Sequence, residues 1–182
     1  YTGDITFVSS EDLVIDGTVT QNSGAATTAF VADNNNDGAG GFILTDRAAG
    51  GFIQSPNGGT ITIEGSELVN GDTTYNGAGN TYTDNTNRGV VIANADAANA
   101  IQMGGNGTVT ITAKDPLGGN QNSIVIDGGI GVGTDGSLNL TSDFGIAMSR
   151  TMAVGAGGSA SVQNAGPFIR TSVDDAVSTG AR

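Results

Sequence analysis

Asp33, Asn35 and Asp37, followed by Gly38, put oxygen-bearing side chains at alternate positions and end on a residue that permits a sharp turn. This is the first half of a calcium loop, because a hard cation takes several oxygen ligands and alternate spacing lets one short loop supply them. The second half is missing. Leu44 stands where a closing Glu would be, Asp46 is the nearest substitute, and no helical periodicity flanks the loop. Asn, Asp and Gly also accept left-handed backbone angles, so a polar turn is the plainer reading of the cluster. Calcium at Asp33, Asn35 and Asp37 is the one metal expectation, and no other cofactor is implied.

Catalytic chemistry has little to draw on. The chain has no His and no Cys, and Lys114 is its single Lys. That removes Ser-His and Cys-His nucleophile pairs and the imidazole acid/base. Carboxylate chemistry on a sugar remains, with Glu64 and Glu67, or Asp16 and Asp127 if neighbouring coils bring them together. Two carboxyls must then stand about 5–10 Å apart across the bond to be cleaved. A sugar site also wants aromatic platforms, and the chain has no Trp and 3 Tyr. Asp and Glu are mostly exposed turn and surface residues, so the sequence reads as a non-enzyme. Gly104-Gly105-Asn106-Gly107 and the stretch 128–136 resemble glycine-rich calcium nonapeptides, but neither is tandem or complete. No Gly-rich loop leads through Lys-Ser/Thr into a helix, so phosphate cradling has no support.

Composition narrows the partners. Six basic against 18 acidic residues give a net charge of -12, which repels a nucleic-acid backbone and an anionic membrane surface. No apolar run approaches the ~20 residues that span a bilayer. Without Cys there is no disulfide framework and no thiolate zinc site. The chain opens on Tyr1 with no basic-then-apolar leader, which reads as a processed product or an excised piece. Charged residues are 13% and aromatics 5%, while Gly numbers 31 and Pro 3. Many short strands and tight turns, with small side chains packed in layers, would give this profile. A Lys-poor, acidic, Gly/Thr/Asn-rich chain suits a secreted bacterial surface protein.

The elements that must carry these residues are set by repetition. Gly41–Glu67 slides onto Gly89–Asp115 without a gap, with Ile53/Ile101, Gln54/Gln102, Gly59/Gly107, Thr60/Thr108, Thr62/Thr110 and Ile63/Ile111 identical. The core recurs at 3–11, 59–67, 107–115 and 158–164. Its units start at Gly3, Gly59, Gly107 and Gly158, at uneven intervals of roughly 50 residues, which suits two coils of about 25 each. All copies share one phase. Ile5 and Phe7, Ile61 and Ile63, Val109 and Ile111, and Ala160 and Val162 face in, while Thr60 and Thr62, Thr108 and Thr110, and Ser159 and Ser161 face out.

A lone strand cannot bury such a row, but stacked copies bury it in columns. The expected fold is therefore all-β: one parallel β-solenoid domain over 1–182, with 67–88 an irregular surface excursion or a degenerate copy. An antiparallel β-sandwich of a fibre subunit fits the same strand spacing and is the alternative. Leu13–Thr20 reads as a strand broken at Asp16-Gly17, Asn94–Asn99 as one helical turn, and Ser172–Arg182 as a frayed tail or short cap. Outward Thr-x-Thr pairs also suit an ice-binding face, although Thr is simply a good strand former.

The cores Gly-Asp-Ile-Thr-Phe (3–7), Gly-Thr-Ile-Thr-Ile (59–63), Gly-Thr-Val-Thr-Ile-Thr-Ala (107–113) and Gly-Ser-Leu-Asn-Leu-Thr-Ser (136–142) resemble passenger regions of filamentous-haemagglutinin-type secreted adhesins. That resemblance implies a right-handed parallel β-helix on a bacterial surface. The last stretch is also similar to segments of flagellin outer domains, which implies a polymerising filament. The expected function is a non-enzymatic segment of an adhesin or extracellular fibre. Its expected partners are other copies of itself, end to end, or other surface proteins.

Overall fold

A strand that alternates apolar and hydroxyl residues buries its apolar row only if another strand lies above and below it. The computed structural model describes residues 1–45, 51–67, 75–77, 80–82, 88–93, 99–114, 123–166, 168–170 and 177–179. It winds them into a parallel β-solenoid. The first coil holds β1 (Ile5–Val8), β2 (Leu13–Ile15) and β3 (Thr18–Thr20), and the second β4 (Thr27–Val31), β5 (Phe42–Leu44) and β6 (Phe52–Ser55). The third begins with β7 (Thr60–Gly65), then carries β8 (Tyr75–Gly77) and β9 (Asn80–Tyr82) before β10 (Val90–Ile92) and β11 (Ile101–Met103). The fourth is β12 (Thr108–Ala113), β13 (Ile124–Ile126) and β14 (Ile130–Val132), and the fifth β15 (Ser137–Ser142), β16 (Ile146–Met148) and β17 (Met152–Val154). The sixth is β18 (Ser159–Asn164), β19 (Phe168–Arg170) and β20 (Val177–Thr179).

Three six-stranded sheets result, each taking one strand per coil in coil order. The first is β1-β4-β7-β12-β15-β18, the second β2-β5-β10-β13-β16-β19, and the third β3-β6-β11-β14-β17-β20. Every pairing within them is parallel, which rules out the antiparallel sandwich; only β8 and β9 pair antiparallel. None of the described residues forms a helix long and apolar enough to cross a membrane.

The gap-free repeat is the register of neighbouring coils. Phe42 pairs with Val90, Ile53 with Ile101 and Ile63 with Ile111, so one sequence offset brings all three sheets into step. Two details differ from the expected coil lengths. The intervals from Gly3 to Gly59 and from Gly107 to Gly158 each enclose two coils, but the interval between them encloses one, because β7 and β12 are adjacent. The stretch 67–88 lies in that coil's sequence between β7 and β10, with β8 and β9 inside it. Thr27–Val31 is a full strand, β4, which the sequence hid by placing Thr28 and Ala29 where the next copy carries Ile61 and Thr62. Leu13–Thr20 is two strands, bent apart at Asp16-Gly17. Of the expected helical turn, residues 94–98 lie outside the described residues, as does the tail from Ser172 apart from β20.

Inside the first sheet, Phe7, Phe30, Ile63, Ile111, Leu140 and Val162 form one column in register. Phe7 stacks on Phe30 with ring centroids 5.0 Å apart, and Phe30 meets Phe42 edge-on at 5.4 Å. Phe30, Ile63 and Ile111 are fully buried, each contributing about 1.5–3 kcal/mol. The column loses its cover at the end coil, where Val162 is 36% exposed.

The second sheet is apolar on both faces. Its triplets Phe-Ile-Leu (42–44), Val-Val-Ile (90–92) and Ile-Val-Ile (124–126) send their first and third residues into the core. The middle residues Ile43, Val91 and Val125, with Ala93 and half-buried Val14, form a separate cluster on the outer face. Ile43 and Val91 are 0% exposed there. A continuous apolar run, in contrast to an alternating one, is the sequence mark of a strand covered on both sides.

Candidate functional site

Asp33 follows β4 by two residues and lies in the loop that crosses to β5. Its backbone is left-handed (φ 52), which an Asp tolerates better than most residues. The side chain is 5% exposed and turns back into its own loop. Its Oδ1 accepts the Asp37 N–H at 3.0 Å, while Oδ2 accepts the Gly38 N–H at 3.2 Å and the Ser66 hydroxyl at 2.5 Å. Asp37 in turn accepts the Asn35 side-chain amide at 2.7 Å and the Ala39 N–H at 3.0 Å. Backbone bonds fasten the loop to both neighbouring coils: Asn34 N–H to Ser9 O, Ser66 N–H to Gly40 O and Gly40 N–H to Glu67 O. Gly40 has φ 137, and a Cβ on it would meet Asp33 N at 2.7 Å and Glu11 O at 2.8 Å. The structure thus gathers Asp33, Asn35 and Asp37 into one loop, with Asp33 as its brace.

Beside this loop lies a cleft of about 210 Å³, walled by Ala32, Asp33, Asn34, Glu64, Ser66 and Lys114. Carboxylates and the single ammonium face one space, so the wall is polar with mixed charge. Among the described residues no three acidic side chains converge as a metal-holding group. The added partner at this site is Ser66, which the sequence left unmarked because it comes from the next coil. Asp46 lies outside the described residues.

The other carboxylate candidates are set apart. Glu64 is exposed on the outer face of β7, and Glu67 is buried at the corner beyond it. Asp16 and Asp127 follow β2 and β13, which are separated in their sheet by β5 and β10. Three strand spacings put them about 14 Å apart, too far to flank one glycosidic bond. Each Asp is a corner rung: Asp16 accepts the Thr45 hydroxyl and Asp127 the Ser149 hydroxyl at 2.5 Å, both from the coil that stacks next in register. The echo Leu-Val-Ile-Asp-Gly and Ile-Val-Ile-Asp-Gly marks them, and the hydroxyl after the following triplet is the signal that completes them.

The outer face of the first sheet carries hydroxyls in two columns. Thr27, Thr60, Thr108, Ser137 and Ser159 are in register along one, and Thr6, Ala29, Thr62, Thr110, Asn139 and Ser161 along the other. Asp4 caps the first column by accepting the Thr27 N–H at 2.7 Å, and Ser137 and Ser159 share a hydroxyl bond at 3.2 Å. Among the described residues, burial shifts the ionisation of Tyr1 and Arg88. Tyr1 is pushed up by desolvation, partly offset by its 2.7 Å bond to Thr28, and Arg88 is pulled down by desolvation.

Fold and faces together define a three-sheet parallel β-solenoid with polar corners and a hydroxyl-lined wall. Set against known proteins, the chain matches no family model, no curated protein and no solved structure.

Proposed function

We propose that the chain is a non-enzymatic segment of a secreted bacterial surface protein, an adhesin or extracellular fibre, in which the solenoid serves as a stiff rod. The observation that carries this reading is the open edge at each end of all three sheets. Among the described residues, the first coil presents β1, β2 and β3, and the last presents β18, β19 and β20, each paired on one side only. An unpaired strand edge is a template for another strand. Ser9 N–H is bonded inward to Val31 O, so by alternation the N–H groups of Thr6 and Val8 point to the open side. Val8 is 52% exposed and Phe7 only half-buried, so a further coil would extend both the ladder and the apolar column. That coil comes from a second copy or from more of the same chain. The resemblance of the repeated cores to adhesin passengers, and the acidic, Cys-free composition, support the extracellular setting.

Light scattering and negative-stain imaging test it. The chain is expected to form elongated particles whose length grows with concentration. Val8→Pro removes one outward donor at a position an edge strand tolerates, and it should abolish growth while leaving the circular dichroism unchanged. A chain that stays monomeric at high concentration counts against the rod reading. Turnover of a polysaccharide, lost in Glu64→Gln, overturns the non-enzyme reading.

A further inference from the structure

Two turns that join the third sheet to the first carry the same dipeptide in different states. Asn57-Gly58 follows β6, and Asn106-Gly107 follows β11. Both Asn side chains are exposed. Asn57 is held: its amide donates to Asn22 O at 2.8 Å, and the Gly58 N–H donates to Ser55 O at 3.2 Å. At the second turn the side chain is not held. Among the described residues none binds the Asn106 amide, while the Gly107 N–H faces Gly104 O across a tight turn, as Gly58 faces Ser55. The Asn106 side-chain oxygen lies over Gly58, 3.5 Å from where a Cβ would stand, in space that a larger residue would close.

We infer that Asn106-Gly107 is a modification site, where the folded chain converts an amide to a carboxylate without an enzyme. The Gly107 nitrogen, after losing its proton to solvent base, attacks Cγ of Asn106. A C–N bond closes a five-membered imide, and the side-chain nitrogen leaves with a proton as ammonia. Water then adds to one of the two imide carbonyls, giving aspartate or isoaspartate; the sum is amide plus water to acid plus ammonia. Glycine assists because it has no Cβ to hinder the nitrogen. The unbound amide leaves the Asn106 side chain able to turn its Cγ to the Gly107 nitrogen, whereas at Asn57 the bond to Asn22 O must break first.

The product is not neutral to the stack. Thr108 pairs with Ser137, so Asn106 is in register with Asp135 of the next coil. A new carboxylate there adds like charge to one corner of neighbouring coils, with the Asn106 oxygen over Gly58 and the Asp135 oxygen over Gly157, and like charges one coil apart repel. Isoaspartate also inserts a carbon into the main chain of the short turn between β11 and β12.

The test is peptide mapping of the whole chain after incubation in mildly alkaline buffer. Cleavage after Arg88 and Lys114 isolates 89–114, and fragmentation locates the change within it. Asn106 is expected to gain the amide-to-acid mass several-fold faster than Asn57, faster still as pH rises, and to split into two products. In denaturant the two rates should become equal, which assigns the difference to the fold. The comparison is with Asn57 because Asn70-Gly71 lies outside the described residues and Asn76-Gly77 is described by backbone alone. Asn106→Gln should remove the fast conversion. Asn106→Asp should melt below the parent at low salt and approach it at high salt. Asn57 converting as fast as Asn106 in the folded chain overturns the inference. So does an Asn106 still intact once the unfolded chain has reacted, or an acidified 89–114 peptide in Asn106→Gln.

Discussion

Replacing Asp33 by Ala leaves the Asp37 N–H, the Gly38 N–H and the Ser66 hydroxyl without their acceptor. A buried donor left unmade costs about 1–3 kcal/mol, so the melting temperature should fall clearly, and it should fall in chelator as well as in calcium. Ser66→Ala removes one of the three bonds and should cost less. Weak calcium binding at Asp33, Asn35 and Asp37 is proposed on their alternate spacing, and calorimetry at millimolar calcium reads it separately. Heat that vanishes in Asp33→Ala supports it; no heat, with a melting temperature unchanged by chelator, removes it. Tyr1 gives the pH arm of the same scale. Its pKa is raised in the folded chain, so its contribution is complete below the ordinary tyrosine range and is lost as pH rises through the raised value. Absorbance titration should show a tyrosine component above the ordinary range that Tyr1→Phe removes, and Thr28→Val, which removes its hydroxyl partner, should delay it further.

Strands are judged by their columns. Ile111 is fully buried between Ile63 and Leu140, so Ile111→Asp should prevent folding, an unpaired buried charge costing several kcal/mol. Thr110→Asp, one residue away on the outer face, should fold. The second sheet makes a sharper case. Val91 faces away from the central core yet is 0% exposed, so Val91→Asp should be as damaging as Ile92→Asp. If it melts like Thr110→Asp, the outer cluster around Ile43 and Val125 adds nothing to stability. Chemical denaturation of the four variants separates these outcomes.

For the whole molecule, stability and assembly follow from quasi-one-dimensional stacking, in which each coil touches only its neighbours. Val162→Ala in the last coil should cost much less than Ile111→Ala, for which about 2–5 kcal/mol is expected. Assembly also meets the net charge of -12 carried by each copy. Copies meeting end to end repel at low ionic strength, and screening shortens that repulsion to about 10 Å at 0.1 M salt. Rod growth should therefore accelerate with salt, whereas growth slowed by salt would point to charge-paired contacts in place of strand edges.

The sequence by itself determined the stack. Its period-2 cores and gap-free self-alignment specify which residues point inward and which share a column, because a one-residue slip would turn every apolar side chain to solvent. That Ile63 shares a column with Ile111, and Thr62 with Thr110, was legible in this way; that they are direct neighbours was not, because the expected two coils per unit put another coil between them. Where β4 departs from the pattern, or where residues 67–88 stand within one coil's sequence, the period failed and the coil count with it. What only the tertiary structure decided lies between coils: that Ser66 completes the Asp33 brace, that Asp16 and Asp127 bond to Thr45 and Ser149 and stand far from each other, and that Asn57 is tied while Asn106 is free. These partners are separated in sequence by whole turns of the solenoid, and a hydrogen bond has no periodic signature from which a turn can be counted.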